Sequence, residues 1–193
     1  MQKVVEHFYS IQGEGSWAGE PATFVRLYGC NLACSFCDEP LHKDAGNITE
    51  MSHQDILNVC KSKRVIITGG EPSLNNINNL IKYLQVNGKL VAVESNGFNY
   101  ENISMANLAT LSPKDNARPD GVWDDVKLLV SGDNMDEVNK EIAYWKEQGG
   151  KIFVSAINND LTLDDRTNAL AMELALANDV AINIQLHKIL GVR

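Results

Sequence analysis

The chain has 193 residues, of which 44% are hydrophobic and 22% are charged, and its formal net charge is −8. This composition is typical of a globular protein with one sizeable core, so we predict a single domain over residues 1–193. The acidic balance argues against direct nucleic-acid binding and against an anionic membrane surface, because both favour a basic protein face.

Neither the apolar stretches nor the N-terminal residues of the sequence resemble a membrane-targeting segment. No stretch approaches the roughly 18 apolar residues of a membrane span, and the opening MQKVVEHFYS lacks the apolar run of a signal peptide. We therefore expect a cytoplasmic location. In such a reducing compartment, clustered cysteines are better suited to metal binding than to disulfides.

Short β-branched runs predict strands, and several are apolar enough to be covered on both faces. These runs are residues 22–29, 64–68, 90–95, 108–112, 125–130, 151–156 and 180–185. Helical periodicity lies between many of them. The predicted helices run from Ser52 toward Cys60 and over residues 74–87, 135–148 and 164–179, and residues 113–124 are expected to be irregular.

Strands that alternate with helices pair in parallel through right-handed crossovers. Six or seven strands with only four clear helices are too few for a full eightfold barrel. We therefore predict an α/β fold, a partial, open (β/α) barrel of about six parallel strands with a reduced number of helices.

Four polar loops follow the first four predicted strands. They are GCNLACSFCDEP (29–40), TGGEP (68–72), ESNG (94–97) and SPK (112–114). Ligands bind at the carboxyl ends of the strands in open α/β sheets. Because these ends share one rim, the four loops together predict a binding site.

Three of the four cysteines, Cys30, Cys34 and Cys37, have the spacing C-x3-C-x2-C. Three thiolates can hold three corners of a cubane [4Fe–4S] cluster and leave the fourth iron open for an outside molecule. A Cys3His zinc site with His42 is an alternative that the spacing leaves open. A redox pair of Cys34 and Cys37 is disfavoured, because Pro40 follows too soon for a helix. Cys60 is expected to be a buried core thiol.

With Phe36 before the last cysteine, the triplet resembles the radical S-adenosylmethionine (SAM) superfamily, and TGGEP is similar to its second hallmark. The resemblance implies that SAM chelates the open iron. An electron from the cluster then cleaves SAM to methionine and a 5′-deoxyadenosyl radical. The radical is carried by the cofactor, so no side chain is implied to be catalytic in its own right.

Residues 9–38, YSIQGEGSWAGEPATFVRLYGCNLACSFCD, closely resemble the start of the 7-carboxy-7-deazaguanine synthase family, and SPK and the ending QLHKILGVR are also similar. The resemblance implies a lyase of queuosine and deazapurine biosynthesis. It would convert 6-carboxy-5,6,7,8-tetrahydropterin to 7-carboxy-7-deazaguanine with loss of ammonia. It also implies Mg²⁺, a flavodoxin- or ferredoxin-type electron donor and a homodimer.

The same resemblance implies roles for individual residues. Those expected to contact SAM are Phe36, Asp38, Gly69, Gly70, Glu71, Ser95, Asn96, Ser112, Pro113 and Lys114. Those expected to contact the substrate are Ile11, Gln12, Gly13, Glu14, Arg26, Thr68, Gln185, His187 and Arg193. Arg26 would pair with the substrate carboxylate, and Arg193 would contribute its terminal carboxylate. Glu14 stays open between substrate contact and loop stabilisation, and His187 between substrate contact and a core or surface position.

Glu39 departs from the family pattern, which has Thr or Ser after the Cys-Asp pair. A carboxylate is a harder and stronger ligand for Mg²⁺ than a hydroxyl, so Glu39 is the expected metal ligand. The alternatives are that it replaces the ion or turns to solvent.

Two other functions compete with the synthase. A glycyl-radical enzyme activase would carry the same triplet, but not IQGEG near the start or QLHK near the end. A non-catalytic zinc or iron–sulfur binding module would not cleave SAM.

Overall fold

The structure, a computed structural model, describes residues 1–37, 45–158 and 163–192. The strands are β1 (Gln2–Ile11), β2 (Pro21–Leu27), β3 (Thr49–Met51), β4 (Arg64–Gly69), β5 (Leu90–Ser95), β6 (Leu108–Leu111), β7 (Asp125–Val130), β8 (Lys151–Ala156) and β9 (Ala181–Asn183). The helices are α1 (His53–Val59), α2 (Asn78–Val86), α3 (Met135–Gln148), α4 (Asp165–Asn178) and α5 (Leu186–Leu190). None of the helices in these ranges is long and apolar enough to span a membrane.

One nine-stranded sheet has the order β3-β1-β2-β4-β5-β6-β7-β8-β9. From β2 to β9 all neighbouring pairs are parallel, whereas β1 is antiparallel to both β2 and β3. The predicted open, mostly parallel α/β fold is therefore confirmed. The strand number is higher than the six or so predicted, because seven parallel strands are joined by two antiparallel ones.

The predicted strands and helices all form, and residues 113–124 are irregular as expected. Ser52 caps α1 with a capping box, its side chain accepting a hydrogen bond from the amide of Asp55. The sequence pattern did not predict β1, β3 or the short α5. A register shift between Val4 and Glu6 interrupts the alternation of β1, which hides its two-residue period.

The two faces of the sheet have different surroundings. Val65 and Ile67 of β4 belong to the main core, which also contains the buried apolar side chains of α2 and α3. Ile66 faces the other way, in a small cluster with Phe24 and Ala92. Successive side chains of a strand alternate between faces, so the positions two residues further on lie on this second, inner face.

The inner face turns polar toward the carboxyl ends of the strands. Two residues beyond each member of that small cluster, the inner face carries Arg26 on β2, Thr68 on β4 and Glu94 on β5. All three side chains line the same cavity. Lys127 continues the row on β7 and Ser155 on β8. The fold thus gathers polar side chains from five strands at one rim.

Candidate active site

Two adjoining cavities lie at this rim. The first, here the cysteine cavity, is lined by Cys30, Cys34 and Cys37 together with the loops after β4, β5 and β6. The second, here the arginine cavity, is lined by Arg26 and by residues of the loop after β1. The lining residues common to both are Glu14, Thr68, Gly69, Glu94 and Lys127. The predicted convergence of loops therefore occurs, and it produces two connected compartments.

The cysteine loop presents three thiols that form no disulfide, of which Cys37 is exposed and the other two are partly exposed. The sulfur of Cys30 accepts a hydrogen bond from the amide of Leu32 at 3.4 Å. Burial nevertheless raises the pKa of the Cys30 thiol, and Glu71 adds to the effect. Within residues 1–37, 45–158 and 163–192, no three His, Cys, Asp or Glu side chains are grouped closely enough to ligate one metal ion. A cluster does not require that grouping, because each thiolate binds a different iron.

The glycine pair after β4 lies directly against the cysteine loop. Gly70 donates its amide hydrogen to the Leu27 carbonyl at 3.0 Å, and Glu71 donates to the Gly29 carbonyl at 2.8 Å. A β-carbon on Gly70 would lie 1.8 Å from the Gly29 oxygen. Any side chain at Gly70 would therefore push the cysteine loop away from β4.

Glu71 connects two rim loops through its buried carboxylate. One oxygen accepts from the Ser95 hydroxyl at 2.6 Å and from the Ser73 amide at 2.9 Å. The other accepts from the Asn96 amide at 2.6 Å. The Asn96 side chain in turn donates to the Asn31 side chain at 2.9 Å, in the cysteine loop. The Glu71 side chain thus organises the rim, and both of its oxygens are used within the protein.

The loop after β6 closes the cysteine cavity. The ammonium of Lys114 donates to the Ser112 hydroxyl at 2.7 Å and lies 5.9 Å from the centre of the Phe36 ring. These three residues line the cysteine cavity. Pro113 instead lines a neighbouring cavity beside α3, with Val138.

Arg26 reaches the arginine cavity from β2. Its guanidinium donates to the Glu6 carboxylate at 2.9 Å and lies 5.1 Å from the centre of the Phe8 ring. Beside it, the buried Gln12 donates to the Glu94 carboxylate at 2.9 Å. Arg26 therefore lines the arginine cavity, where it forms an ion pair with Glu6, its neighbour on β1.

The C-terminal segment packs on the loop after β1. Leu186 donates its amide hydrogen to the Gly13 carbonyl at 3.2 Å. A β-carbon on Gly13 would lie 2.3 Å from the Nδ1 atom of His187, which explains the glycine. His187 and Ile11 line the arginine cavity, and Gln185 lines the cysteine cavity. The loop after β1 and residues 185–187 therefore meet at the site.

Some predicted residues cannot be placed, and some placed residues were not predicted. Asp38, Glu39, His42 and Arg193 lie outside the described residues. Conversely, Glu94 and Lys127 line both cavities, but neither was among the individual residues expected to contact SAM or the substrate, although Glu94 begins the predicted loop 94–97. Both are charged residues within apolar strands, a position that Arg26 shares on β2.

Cys60 is buried in the main core, as predicted. Its thiol donates to the Ile56 carbonyl at 3.0 Å, and burial raises its pKa to about 11, although Lys89 opposes the shift. A thiol with so high a pKa is rarely a thiolate, so it is a poor metal ligand.

Comparisons with known proteins identify relatives of this chain. Residues 24–113 match the family described as the Radical SAM superfamily. The chain is 41% identical to the 7-carboxy-7-deazaguanine synthase of Bacteroides thetaiotaomicron, covering 70% of this chain and 74% of the relative. It is 32% identical to the synthase of Rickettsia prowazekii, covering 96% and 86% of the two chains. The crystal structure of QueE from Escherichia coli has a TM-score of 0.74 at 22% identity, over 94% of this chain and 92% of that one. This last likeness shows the fold.

Replacing Gly70 by Ala tests the close approach of the two loops. We expect Gly70→Ala to lower the free energy of unfolding by about 3 kcal/mol. Overpacking costs about 1–3 kcal/mol, and the upper value applies because the atoms that the new β-carbon meets are backbone atoms of Gly29, which cannot move aside as a side chain would. Gly88→Ala is the control, since Gly88 has a positive φ of 79° but open space around it. Only the left-handed backbone penalty of about 1–2 kcal/mol then applies. Denaturant titration measures both, and a Gly70→Ala variant as stable as wild type would contradict the packing.

Proposed function

The chain belongs to the 7-carboxy-7-deazaguanine synthase family, and on this premise we propose that it converts 6-carboxy-5,6,7,8-tetrahydropterin to 7-carboxy-7-deazaguanine with loss of ammonia. The supporting observation is that a cysteine-lined cavity opens into a compartment holding a guanidinium and several hydrogen-bonding groups. The reaction is that of a radical SAM lyase, and we propose that residues 1–193 form its single domain.

The residues of the cysteine cavity fit a [4Fe–4S] cluster and SAM. Cys30, Cys34 and Cys37 form no disulfide and can supply thiolates as ligands, and the glycine pair 69–70 leaves backbone without side chains beside them. We propose that the hydroxyls and amides of Ser95, Asn96 and Ser112 hold the polar groups of SAM. When bound, the cluster and SAM supply the one-electron chemistry that removes a hydrogen atom from the substrate.

In the arginine cavity, Arg26 would bind the carboxylate of the substrate. A guanidinium has five N–H donors in a fixed fork, so the bond to Glu6 does not exhaust its capacity. The Phe8 ring and Glu6 fix the plane of that fork. Gln12, Thr68 and Glu94 would meet the heterocycle, Gln12 and Glu94 being linked at 2.9 Å. These contacts would hold the reacting carbon toward the cysteine cavity.

Partners and location complete the proposal. An electron must reach the cluster from outside, and a flavodoxin- or ferredoxin-type protein is the chemical class that supplies it. A homodimer is supported by exposed apolar side chains on α4 and near the C-terminus, which are Met172, Leu176, Ile184, Ile189 and Leu190. Accessible thiols that form no disulfide are best preserved in a reducing compartment, which supports the cytoplasm.

Product formation tests the proposed function and separates it from the activase. Anaerobically reconstituted protein with reductant, SAM and the carboxypterin should give a product with the mass of 7-carboxy-7-deazaguanine. Cys30→Ala should abolish it, since one corner of the cluster loses its ligand, whereas Cys60→Ala should retain the cluster. SAM cleavage without any deazaguanine product would contradict the proposal and revive the activase, which the names of the relatives do not favour.

Arg26→Lys tests the carboxylate contact. We expect kcat/KM for the pterin to fall about tenfold to a hundredfold, because lysine keeps the charge but loses the forked hydrogen bonds. SAM affinity should change little. Arg64→Lys is the matched control, as Arg64 also combines an ion pair, with Glu20 at 3.1 Å, and an aromatic contact, 5.6 Å from the centre of the Trp17 ring. If both variants had the same kcat/KM for the pterin, Arg26 would not be the residue that binds the substrate carboxylate.

We propose that Glu39 would hold Mg²⁺, which would offset the repulsion between the carboxylates of Glu39 and the substrate. Two nearby carboxylates repel each other unless a cation intervenes, and carboxylate oxygens are preferred Mg²⁺ ligands. Glu39→Gln should therefore need severalfold more Mg²⁺ for half-maximal activity, and Glu39→Thr should remain active with an altered requirement. Activity is titrated with Mg²⁺ for all three proteins. Superimposable curves would place Glu39 outside the metal site.

A further inference from the structure

An ion pair joins the two cavities. The ammonium of Lys127 donates to a carboxylate oxygen of Glu14, and the two side chains are only 15% and 12% exposed. Lys127 projects from the inner face of β7, while Glu14 lies on the loop after β1. Both residues line the cysteine cavity and the arginine cavity. A charge in this semi-buried position is stable only when it is paired and hydrogen-bonded.

The other oxygen of Glu14 is held by the C-terminal segment. Gln185 donates to it at 3.0 Å, and the carbonyl oxygen of the Gln185 side chain accepts from Asn158 at 3.1 Å. Both oxygens of Glu14 therefore have protein donors from different parts of the chain. An ionised carboxylate has about four lone-pair sites, so two such bonds leave acceptor capacity for a ligand.

Strand β7 holds both the backbone of the loop that carries Glu14 and the Glu14 carboxylate itself. The Asp125 carboxylate accepts from the amide and the hydroxyl of Ser16, at 2.8 and 2.6 Å. Gly15 donates to the Asn183 side chain at 2.9 Å. Asp125 and Lys127 are two residues apart, so they share the inner face of β7. One anchors the loop backbone, and the other anchors the Glu14 carboxylate.

The charges around Glu14 favour its ionised form. Burial raises the pKa of Glu14, but the charge of Lys127, the hydrogen bonds from Lys127 and Gln185, and the nearby His187 outweigh it and lower the pKa to about 2. The other charged groups lining the same compartments are Arg26 on β2 and Glu94 on β5, with Glu71 after β4 and Lys114 after β6. Asp125 on β7 lies behind the loop.

We propose that Lys127 is a positioning residue, which keeps Glu14 ionised and directed into the junction of the cavities so that its remaining lone pairs accept N–H groups of the substrate heterocycle. The identity of that heterocycle rests on the proposed function. In this role Lys127 acts through Glu14 and needs no contact with the substrate itself.

Carboxylate NMR tests the role without cluster, SAM or substrate. Protein labelled with carboxyl-¹³C glutamate is titrated, and the Glu14 signal is identified by its loss in Glu14→Gln. In Lys127→Gln we expect the pKa of Glu14 to rise well above its wild-type value of about 2, because burial is then opposed only by the Gln185 hydrogen bond and by His187. Lys127→Arg should keep the pKa low, and Lys140→Gln, on the exposed face of α3, is the charge-matched control. An unchanged Glu14 pKa in Lys127→Gln would overturn the positioning role.

The pH dependence of kcat/KM gives the functional readout. In Lys127→Gln, kcat/KM should fall about tenfold per pH unit below the new pKa of Glu14, since the protonated acid loses its acceptor role. Lys127→Arg should restore the wild-type profile, and the neutral pair Glu14→Gln with Lys127→Gln should lose the acid limb. A loss that is equal at every pH would show a merely structural role and overturn the inference. Wild type that forms no deazaguanine would instead count against the proposed function, which the NMR titration does not use.

Discussion

The site depends on the contact between two stretches of backbone, the glycine pair after β4 and the start of the cysteine loop after β2. A β-carbon on Gly70 would come within 1.8 Å of the Gly29 carbonyl oxygen. The amides of Gly70 and Glu71 donate hydrogen bonds to the carbonyls of Leu27 and Gly29. Because backbone at this distance admits no side chain, the position of the cysteines is set by β4. Glu71 then passes the constraint to the loop after β5.

The second organising feature is the change of polarity along the inner face of the sheet. Phe24, Ile66 and Ala92 pack together in the lower part, and the next inward position on each strand is polar. The parallel register aligns these positions, pairing Arg26 with Thr68. The result is a polar compartment above an apolar floor, next to the cysteine loop. A substrate bound there would adjoin the cofactor rather than share its pocket.

Much of this arrangement could be predicted from local pattern. Continuous apolar strands, capped helices and the C-x3-C-x2-C spacing each depend on neighbours in sequence, and all the strands and helices predicted from them form. What escaped prediction depends on partners far away. Lys127 becomes a site residue only because Glu14, 113 positions earlier, meets it across the sheet. Likewise, the register shift in β1 interrupts the alternating pattern by which a strand is predicted, so the strand that supplies Glu6, the ion-pair partner of Arg26, was not predicted. A charged residue at an inward strand position is the signal that would have identified Glu94 and Lys127.

The central claim is that substrate and SAM lie side by side in the two connected cavities. The most direct test is turnover of carboxypterin that carries deuterium at C6, followed by mass spectrometry of the nucleoside products. The account predicts that deuterium moves into the adenosyl group of recovered SAM or of its cleavage product. Deazaguanine product formed with the adenosyl group free of deuterium would contradict the side-by-side arrangement.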